Sequence, residues 1–311
     1  MKNEVIDLAK SLIEIKSISP EDKGCFDIVE KYLDQLQFKT ERINHLNMEN
    51  LYSTIGSKGP LFCFLGHTDV VPSGPEELWD VHPFKPEVLN DHLVGRGAAD
   101  MKGAVATFLV TVKEFLEKYP NPNFRICIFL NSNEEGEPAD GKIDKIIKDL
   151  QEKGEHIDYC LVGEASSSKK LADTIRLGRR GSLSGALTIK GKQGHVAYPD
   201  KVNNPIHISG EIIKSLKEVV WDNGNEFFQP TSFQISNINS GTGATNVVPG
   251  HLEMKFNLRF SSESTEESLK EKILEIFKEH NIDYEIEWTL NAVPFITEKT
   301  IFKDIVIKSI N

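Results

Sequence analysis

Short uninterrupted runs of apolar residues alternate with longer amphipathic stretches through the first half of the chain. Residues 61–65 form one such run, and residues 124–130 and 159–162 form two more. Runs of this kind are typical of strands that are buried on both faces. Apolar residues three and four apart, as over 3–16 and 25–37, predict helices. The alternation predicts an α/β fold, a doubly wound and mostly parallel sheet with helices on both faces.

The pattern changes near residue 180. Residues 182–190 alternate between apolar and polar side chains, as a half-exposed strand does, and a helical pattern follows over about 204–220. Strand, strand, helix and strand come next, near 231–239, 251–260, 265–280 and 282–289. This is the element order of a ferredoxin-like α+β domain. The predicted domains are 1–179, an inserted domain over 180–292, and the start of a return to the first domain over 293–311.

Composition restricts the classes of partner. The chain has 311 residues, of which 39% are hydrophobic and 27% are charged, as in a globular protein with a large core. Its formal net charge of -11 argues against binding to nucleic acid or to an anionic membrane. An anionic small molecule stays open as a ligand, because local Arg residues can bind one.

Cysteine usage and the amino terminus indicate a cytoplasmic protein. The four cysteines are far apart and form no Cys-x-x-Cys motif, which favours reduced thiols over disulfides. The first residues mix charged and apolar side chains, as in an amphipathic helix and unlike a signal peptide. No apolar run approaches the length that spans a membrane.

The first candidate site residues follow the apolar run 61–65. His67 and Asp69 are two positions apart, so in an extended segment they point to the same side. They lie at the carboxyl end of the predicted strand, where open α/β sheets bind their ligands. An Asp beside a His can accept one ring N–H and leave the other nitrogen free for a metal. The alternative is a capped strand end with a solvated His–Asp pair.

Further carboxylates follow other predicted strands, namely Asp100, Glu134, Glu135 and Glu164. Acids at these places are common as helix caps, but so many like charges at one sheet edge would repel each other unless a cation lay among them. Imidazole and carboxylates together suit Zn²⁺, with Mn²⁺ or Co²⁺ as alternatives. Adjacent Glu134 and Glu135 cannot point the same way, so one can bind a metal while the other carries the proton of a water molecule.

Competing catalytic motifs are incomplete. Gly95-x-Gly97 begins like a dinucleotide-binding fingerprint, but Asp100 stands where the third Gly belongs. The sequence contains neither a Gly-x-Ser-x-Gly nucleophile elbow nor a His-Glu-x-x-His motif. These absences leave the strand-end residues as the leading candidates.

Several segments resemble the zinc aminoacylase/carboxypeptidase superfamily. They are Gly66-His67-Thr68-Asp69-Val70-Val71-Pro72, Gly95-Arg96-Gly97-Ala98-Ala99-Asp100-Met101-Lys102-Gly103, Glu134-Glu135-Gly136 and Gly163-Glu164. Two more segments resemble the desuccinylase branch, Gly178-Arg179-Arg180-Gly181-Ser182-Leu183-Ser184-Gly185 and Gln193-Gly194-His195-Val196-Ala197-Tyr198-Pro199. The similarity spans essentially the whole chain.

The resemblance implies roles for the strand-end residues. Asp100 would bridge two zinc ions per subunit of the complete enzyme, with Co²⁺ as a possible substitute. His67 and Glu164 would complete one metal site, and Glu135 would belong to the other. Asp69 would orient His67, Glu134 would be the general base and later the proton donor, and the peptide bond after Asp100 would be cis.

The resemblance also implies roles in the inserted domain. This domain would be the dimerisation lid of a homodimer, and His195 would reach the partner subunit's active site to stabilise the tetrahedral oxyanion. Arg179, Asn246 and Arg259 would contact substrate carboxylates or the lid, since Arg suits bidentate carboxylate binding. Surface ion pairing is the alternative role for the two Arg residues.

The implied activity is hydrolysis of a small N-succinyl amino acid, with N-succinyl-LL-2,6-diaminopimelate as the substrate. A deacetylase acting on N-acetylornithine, or another N-acyl amino acid hydrolase, is the nearest alternative. The chain departs from the family pattern at Asn133 and Ala165, and no His follows His280 although the family takes its last zinc ligand from a late His. We therefore expect a chain that is truncated at its carboxyl terminus. A non-catalytic structural relative is the alternative of another class.

Overall fold

The computed structural model describes residues 2–45, 48–136, 142–297 and 300–310. The chain forms two compact units, Met1–Asp173 and Thr174–Asn311. Residues 293–311 fall in the second of these units, and the domain limits 179/180 and 292/293 stay predictions. In the part of the chain that is described, no helix combines the length and the apolar character needed to cross a bilayer.

The first unit contains helices and strands in alternation. The helices are α1 (Lys2–Ile13), α2 (Cys25–Asp34), α3 (Gly103–Lys118) and α4 (Lys142–Glu152). The strands are β1 (Lys39–Arg42), β2 (Asn50–Ile55), β3 (Leu61–His67), β4 (Glu87–Leu89), β5 (His92–Val94), β6 (Arg125–Asn131) and β7 (Tyr159–Val162). Short irregular helical turns lie at Glu76–Leu78 and Ala98–Lys102.

A five-stranded sheet with the order β1-β2-β6-β3-β7 forms the centre of the first unit. Strand β3 runs parallel to both β6 and β7, and these are the three strands that the apolar runs predict. Strands β1 and β2 add an antiparallel side to the sheet. The α/β class is confirmed. The sheet is mixed, because the β1–β2 and β2–β6 pairs are antiparallel while the β6–β3 and β3–β7 pairs are parallel.

Both faces of the sheet are covered. Residues of α1, α2 and α3 pack with Phe64, Ile128 and Leu130 on one face. Residues of α4 pack with Leu61, Cys63 and Phe129 on the other. Burial on both faces explains why β3 and β6 have runs of apolar residues in place of an alternating pattern.

The second unit contains the predicted strand and helix order and some additional short strands. Its helices are α5 (Pro205–Glu218), α6 (Glu266–Glu279) and α7 (Ile301–Ile310). Its strands are β8 (Gly178–Arg179), β9 (Gly181–Lys190), β10 (Gly194–His195), β11 (Ser232–Ser240), β12 (Val247–Val248), β13 (His251–Phe260), β14 (Asp283–Ala292) and β15 (Phe295–Ile296).

The main sheet of this unit has the order β11-β13-β9-β14, and all of its neighbours are antiparallel. With α5 and α6 this is a ferredoxin-like arrangement, as the sequence predicts. Apolar residues alternate along β13 and pack with both helices, while the residues between them face away from the helices. The short strand pairs β8–β15 and β10–β12 lie outside the main sheet, and the sequence pattern does not reveal them.

Asp222 joins three loop segments of the second unit. Its carboxylate accepts hydrogen bonds from the backbone N–H groups of Gly224 at 2.8 Å and Thr231 at 2.9 Å. The hydroxyls of Ser264, at 2.6 Å, and of Thr231 donate to the same carboxylate. Burial opposes the charge, but the hydrogen bonds from Ser264 and Thr231 outweigh it and hold the pKa of Asp222 well below its usual value.

We expect Asp222→Asn to lower the free energy of unfolding of the second unit by about 2 kcal/mol near neutral pH, because bonds to a charged acceptor are lost. The folded pKa lies below the unfolded value of about 3.9, so this contribution is complete above that pH and is lost as the pH falls towards the folded pKa. Urea unfolding followed by tryptophan fluorescence, to which Trp221 and Trp288 contribute, measures the difference. The exposed Asp283 provides the control Asp283→Asn, and a difference that persisted unchanged in acid would contradict the assignment.

Candidate metal centre

Three neighbouring parallel strands end at one edge of the first sheet, and the candidate residues follow them there. His67 is the last residue of β3, Glu134 and Glu135 follow β6, and Glu164 follows β7. Asp100 comes from the irregular turn that precedes α3. Because β3 lies between β6 and β7, the loops after these strands meet around His67.

His67 is buried, and both of its ring nitrogens have partners. Its Nδ1 lies 2.9 Å from the backbone carbonyl oxygen of Asp69 and 3.4 Å from the Asp69 carboxylate. Its Nε2 lies 3.1 Å from Asp100 Oδ1 and 3.2 Å from Glu164 Oε1. The ring is therefore held through Nδ1, with the backbone carbonyl as the nearer acceptor, while Nε2 faces two carboxylates.

Two overlapping groups of ligand atoms converge here. His67, Glu134 and Glu164 each place one ligand atom within 4.8 Å of the others, and so do His67, Asp100 and Glu135. The structure thus brings together the predicted ligands His67, Asp100, Glu135 and Glu164, and it places Glu134 beside them. An imidazole with several carboxylates fits a divalent metal ion, because a cation would relieve their mutual repulsion.

Asp69 holds the Glu134–Glu135 turn as well as His67. This fully buried carboxylate accepts hydrogen bonds from the backbone N–H groups of Glu134 and Glu135, both at 3.1 Å. The hydroxyl of Ser19 donates to it as well. Burial opposes the charge, but the hydrogen bonds from His67 and Ser19 outweigh it and lower the pKa of Asp69.

The charges of the site are strongly coupled. Burial disfavours the charged imidazole, but hydrogen bonds to Asp69 and Glu164 outweigh it and raise the pKa of His67 to about 11. The hydrogen bond to His67 lowers the pKa of Glu164. Desolvation and the neighbouring carboxylates raise the pKa of Glu134 and of Glu135. The carboxylates around His67 therefore favour a positive charge at this edge of the sheet.

Two supporting residues have no signal in the sequence pattern. Ser19 reaches Asp69 from a loop 50 positions earlier in the chain. The buried Lys102 donates from Nζ to the backbone oxygens of Leu12 at 2.8 Å and Ile15 at 2.9 Å, and so joins the end of α1 to the turn that carries Asp100. Burial lowers the pKa of Lys102. The Asp100–Met101 peptide bond is cis, as the resemblance implies.

The remaining predicted site residues lie in the second unit. His195 in β10 pairs with Val247 in β12, and the next residue, Val196, donates its N–H to the backbone oxygen of Asn246 at 3.1 Å. His195 and Asn246 are therefore on neighbouring segments, both exposed. Arg259 is an exposed residue of β13, and Arg179 is an exposed residue of β8. Their roles stay predictions.

Comparisons with known proteins extend over most of the chain. Residues 177–285 match the family model described as the peptidase dimerisation domain. The succinyl-diaminopimelate desuccinylase of Nitrosomonas eutropha is 48% identical over 304 residues, which is 98% of this chain and 80% of that protein. The succinyl-diaminopimelate desuccinylase of Pseudoalteromonas translucida is 47% identical over 310 residues, with 100% and 82% covered.

Solved structures show the same fold at low sequence identity. An M20 family metallo-carboxypeptidase from Sulfolobus solfataricus has a TM-score of 0.75 at 19% identity, and the match covers 99% of this chain and 84% of that one. A dinuclear metal-binding peptidase of the M20 family from Bacillus subtilis has a TM-score of 0.69 at 16% identity, with 99% and 80% covered. The two-unit architecture is therefore shared with these metallopeptidases.

Proposed function

This chain belongs to the succinyl-diaminopimelate desuccinylase family, and from that membership we propose that it hydrolyses the amide bond of N-succinyl-LL-2,6-diaminopimelate. Water adds to the succinyl carbonyl, the C–N bond breaks, and the products are succinate and LL-2,6-diaminopimelate. The observation that carries the proposal is the convergence of His67 and the strand-end carboxylates at one sheet edge, with Glu134 beside them. Such a hydrolase would serve lysine and diaminopimelate synthesis in the cytoplasm.

His67, Asp100, Glu135 and Glu164 would hold the metal. We propose Zn²⁺ as the natural ion and Co²⁺ as a substitute, because a mixed imidazole and carboxylate set suits both. When bound, the metal would polarise the scissile carbonyl and lower the pKa of the attacking water. Asp69 would fix the ring of His67 and the turn that carries both Glu residues.

Glu134 would act as the proton carrier. Its carboxylate would accept a proton from the attacking water and then deliver it to the nitrogen of the leaving amine. Glu134 suits this role because its backbone N–H is tied to Asp69, while its side chain is exposed at the edge where the ligand atoms converge. The adjacent residue, Glu135, would supply a ligand atom to the metal.

The second unit would provide the dimer contact and part of the substrate site. The matched dimerisation domain supports this proposal, and so does the edge strand β11, where Ile238 is 52% exposed. His195 would stabilise the oxyanion in the partner subunit's site, and Asn246, Arg179 and Arg259 would contact the substrate carboxylates. Light scattering tests the homodimer, since a monomer at micromolar concentration would contradict it.

The substrate is tested by paired assays of the purified full chain. We expect the chain supplied with Zn²⁺ to release succinate from N-succinyl-LL-2,6-diaminopimelate and to act more slowly on N-acetylornithine. Hydrolysis of N-acetylornithine with no release of succinate would overturn the substrate assignment. Loss of both activities in Glu134→Gln, with Glu152→Gln at the end of α4 as the control, would show that they come from this site.

Ser19→Ala tests the support given to Asp69. We expect affinity for Zn²⁺ to fall about tenfold, because Asp69 loses one hydrogen bond but keeps those from the Glu134 and Glu135 amides. Competition against a coloured chelator measures this affinity. Ser11, whose hydroxyl bonds only within α1, provides the control Ser11→Ala. An unchanged affinity in Ser19→Ala would show that Ser19 does not support the site.

A further inference from the structure

Three cysteines lie side by side on three adjacent strands of the first sheet. Cys63 in β3 pairs in register with Cys127 in β6 and with Cys160 in β7. Paired residues of neighbouring parallel strands project to the same face of a sheet. The thiol of Cys63 therefore lies between the other two thiols. The Cys127 thiol and burial raise the pKa of Cys63, and the Cys63 thiol and burial raise the pKa of Cys160. The sheet thus presents a row of three sulfur atoms with Cys63 at its centre.

The row is separate from the candidate metal centre. Cys63 is four residues before His67 in the same strand, which corresponds to about 13 Å. Cys63 and Cys127 are buried and belong to the core cluster of the α4 face, whereas Cys160 is exposed on the edge strand β7. Cys63 and Cys160 both line a cavity of about 230 Å³ on that face. A small ligand can therefore reach two of the three sulfur atoms.

The side chains that line the cavity are mainly thiols and hydrocarbon groups, and few of their oxygen atoms are free to bind a metal ion. Its lining is mostly apolar, with Leu65, Phe129 and the apolar side of α4 around the two thiols. Tyr52, Gln151 and Glu155 also line it. The Glu155 carboxylate is held by Arg125 at 2.8 Å, and the Tyr52 hydroxyl faces the same carboxylate at 3.5 Å. Thiolates without carboxylate or imidazole partners select soft ions such as Cu(I) over Mg²⁺ or Ca²⁺.

Strand spacing favours an ion between the sulfur atoms over a disulfide. Neighbouring strands are about 4.7–4.9 Å apart. In-register side chains of parallel strands begin at about this separation, whereas a disulfide needs its Cβ atoms about 3.5–4.5 Å apart. Closing a disulfide would pull the strands together, but an ion placed between two sulfur atoms requires a wider gap and leaves the ladder intact.

We propose that Cys63 and Cys160 bind one Cu(I) ion per chain as a pair of thiolates, at a site distinct from the hydrolytic centre. Each of the two thiols releases its proton to solvent, and both sulfur atoms bond to the ion without any change of oxidation state. Cys127 does not bind the ion and packs beside Cys63 in the sheet. The exposed Cys160 is the entry ligand and the buried Cys63 is the anchor.

Titration of the full chain with Cu(I) under anaerobic conditions tests the proposal. The chain is first saturated with Zn²⁺, and bicinchoninate competes for the copper. We expect one Cu(I) bound per wild-type chain and two sulfur neighbours in X-ray absorption. Cys160→Ser should weaken binding at least about 100-fold, because a hydroxyl is a poor ligand for a soft ion. Since Cys160 is exposed, its replacement should leave the circular dichroism spectrum unchanged.

Cys25 supplies the matched control. It is a buried thiol that contacts the Leu12 carbonyl and the Ser17 hydroxyl, away from the row. Cys25→Ser should bind Cu(I) like the wild type. Equal binding by Cys160→Ser and the wild type would overturn the proposal, and so would a wild-type chain that leaves all copper with bicinchoninate, since the three thiols would then only pack the sheet.

Discussion

Glu134→Gln is expected to lower kcat for amide hydrolysis by about 10²–10⁴-fold, the contribution of a well-placed general acid–base residue. The amide has the shape of the carboxylate but cannot accept the proton of the attacking water. The backbone N–H of Glu134 still bonds to Asp69, so the turn keeps its position. Steady-state kinetics with saturating Zn²⁺ measures the effect, and metal analysis should find the metal content unchanged.

Glu135→Gln is the informative comparison, because the two residues are adjacent and have different proposed roles. Glu135 belongs to the ligand group with His67 and Asp100. We therefore expect Glu135→Gln to lose metal affinity together with activity, and to recover part of its activity when more Zn²⁺ is added. A Glu134→Gln enzyme that kept more than a tenth of its kcat would remove Glu134 from the proton transfer.

Asp69→Asn is expected to reduce metal affinity and kcat/KM by up to about 100-fold, the range found for residues that hold metal ligands in place. The carboxylate accepts from two backbone amides and from the Ser19 hydroxyl, with one oxygen on Glu134 and the other on Glu135 and Ser19. Asn has a single acceptor oxygen, so its amide nitrogen would face at least one N–H donor. The Glu134–Glu135 turn would have to move.

Metal competition assays and the kinetics of the same protein sample separate the movement of the Glu134–Glu135 turn from the loss of metal affinity. Displacement of the turn should lower kcat even when Zn²⁺ is saturating, whereas a loss of ligand support alone would be corrected by added Zn²⁺. Asp91, exposed in the β4–β5 turn at a φ of 63°, provides the control Asp91→Asn, because Asn tolerates that conformation. Wild-type kinetics and affinity in Asp69→Asn would contradict the supporting role.

The residues at the sheet edge could be predicted because local patterns determine their position. Each of the parallel strands β3, β6 and β7 has an apolar run, and the polar residues that follow must emerge at the same edge. The run of β7 predicts a strand buried on both faces, but β7 is at the edge of the sheet and is half-exposed. The ferredoxin-like order of the second unit could be predicted for the same reason, from alternation and helical spacing within single elements.

Contacts between distant segments could not be predicted in this way. Ser19 meets Asp69 across 50 positions, and Lys102 meets Leu12 across 90. The Nδ1 of His67 is nearer to the backbone carbonyl of Asp69 than to its carboxylate, which no side-chain pattern reveals. Short pairs such as β10–β12 depend on how two loops meet, and no periodicity of their own identifies them.

Anomalous diffraction at the zinc edge, from crystals of the full chain grown with Zn²⁺, tests the central claim most directly. The central claim is that a metal centre lies at the sheet edge where β6, β3 and β7 end. It predicts anomalous density beside the Nε2 atom of His67 and the carboxylates of Asp100 and Glu164, with Glu134 close by. Zinc bound only elsewhere in the chain, with this edge empty, would contradict the claim and with it the proposed role of these residues in hydrolysis.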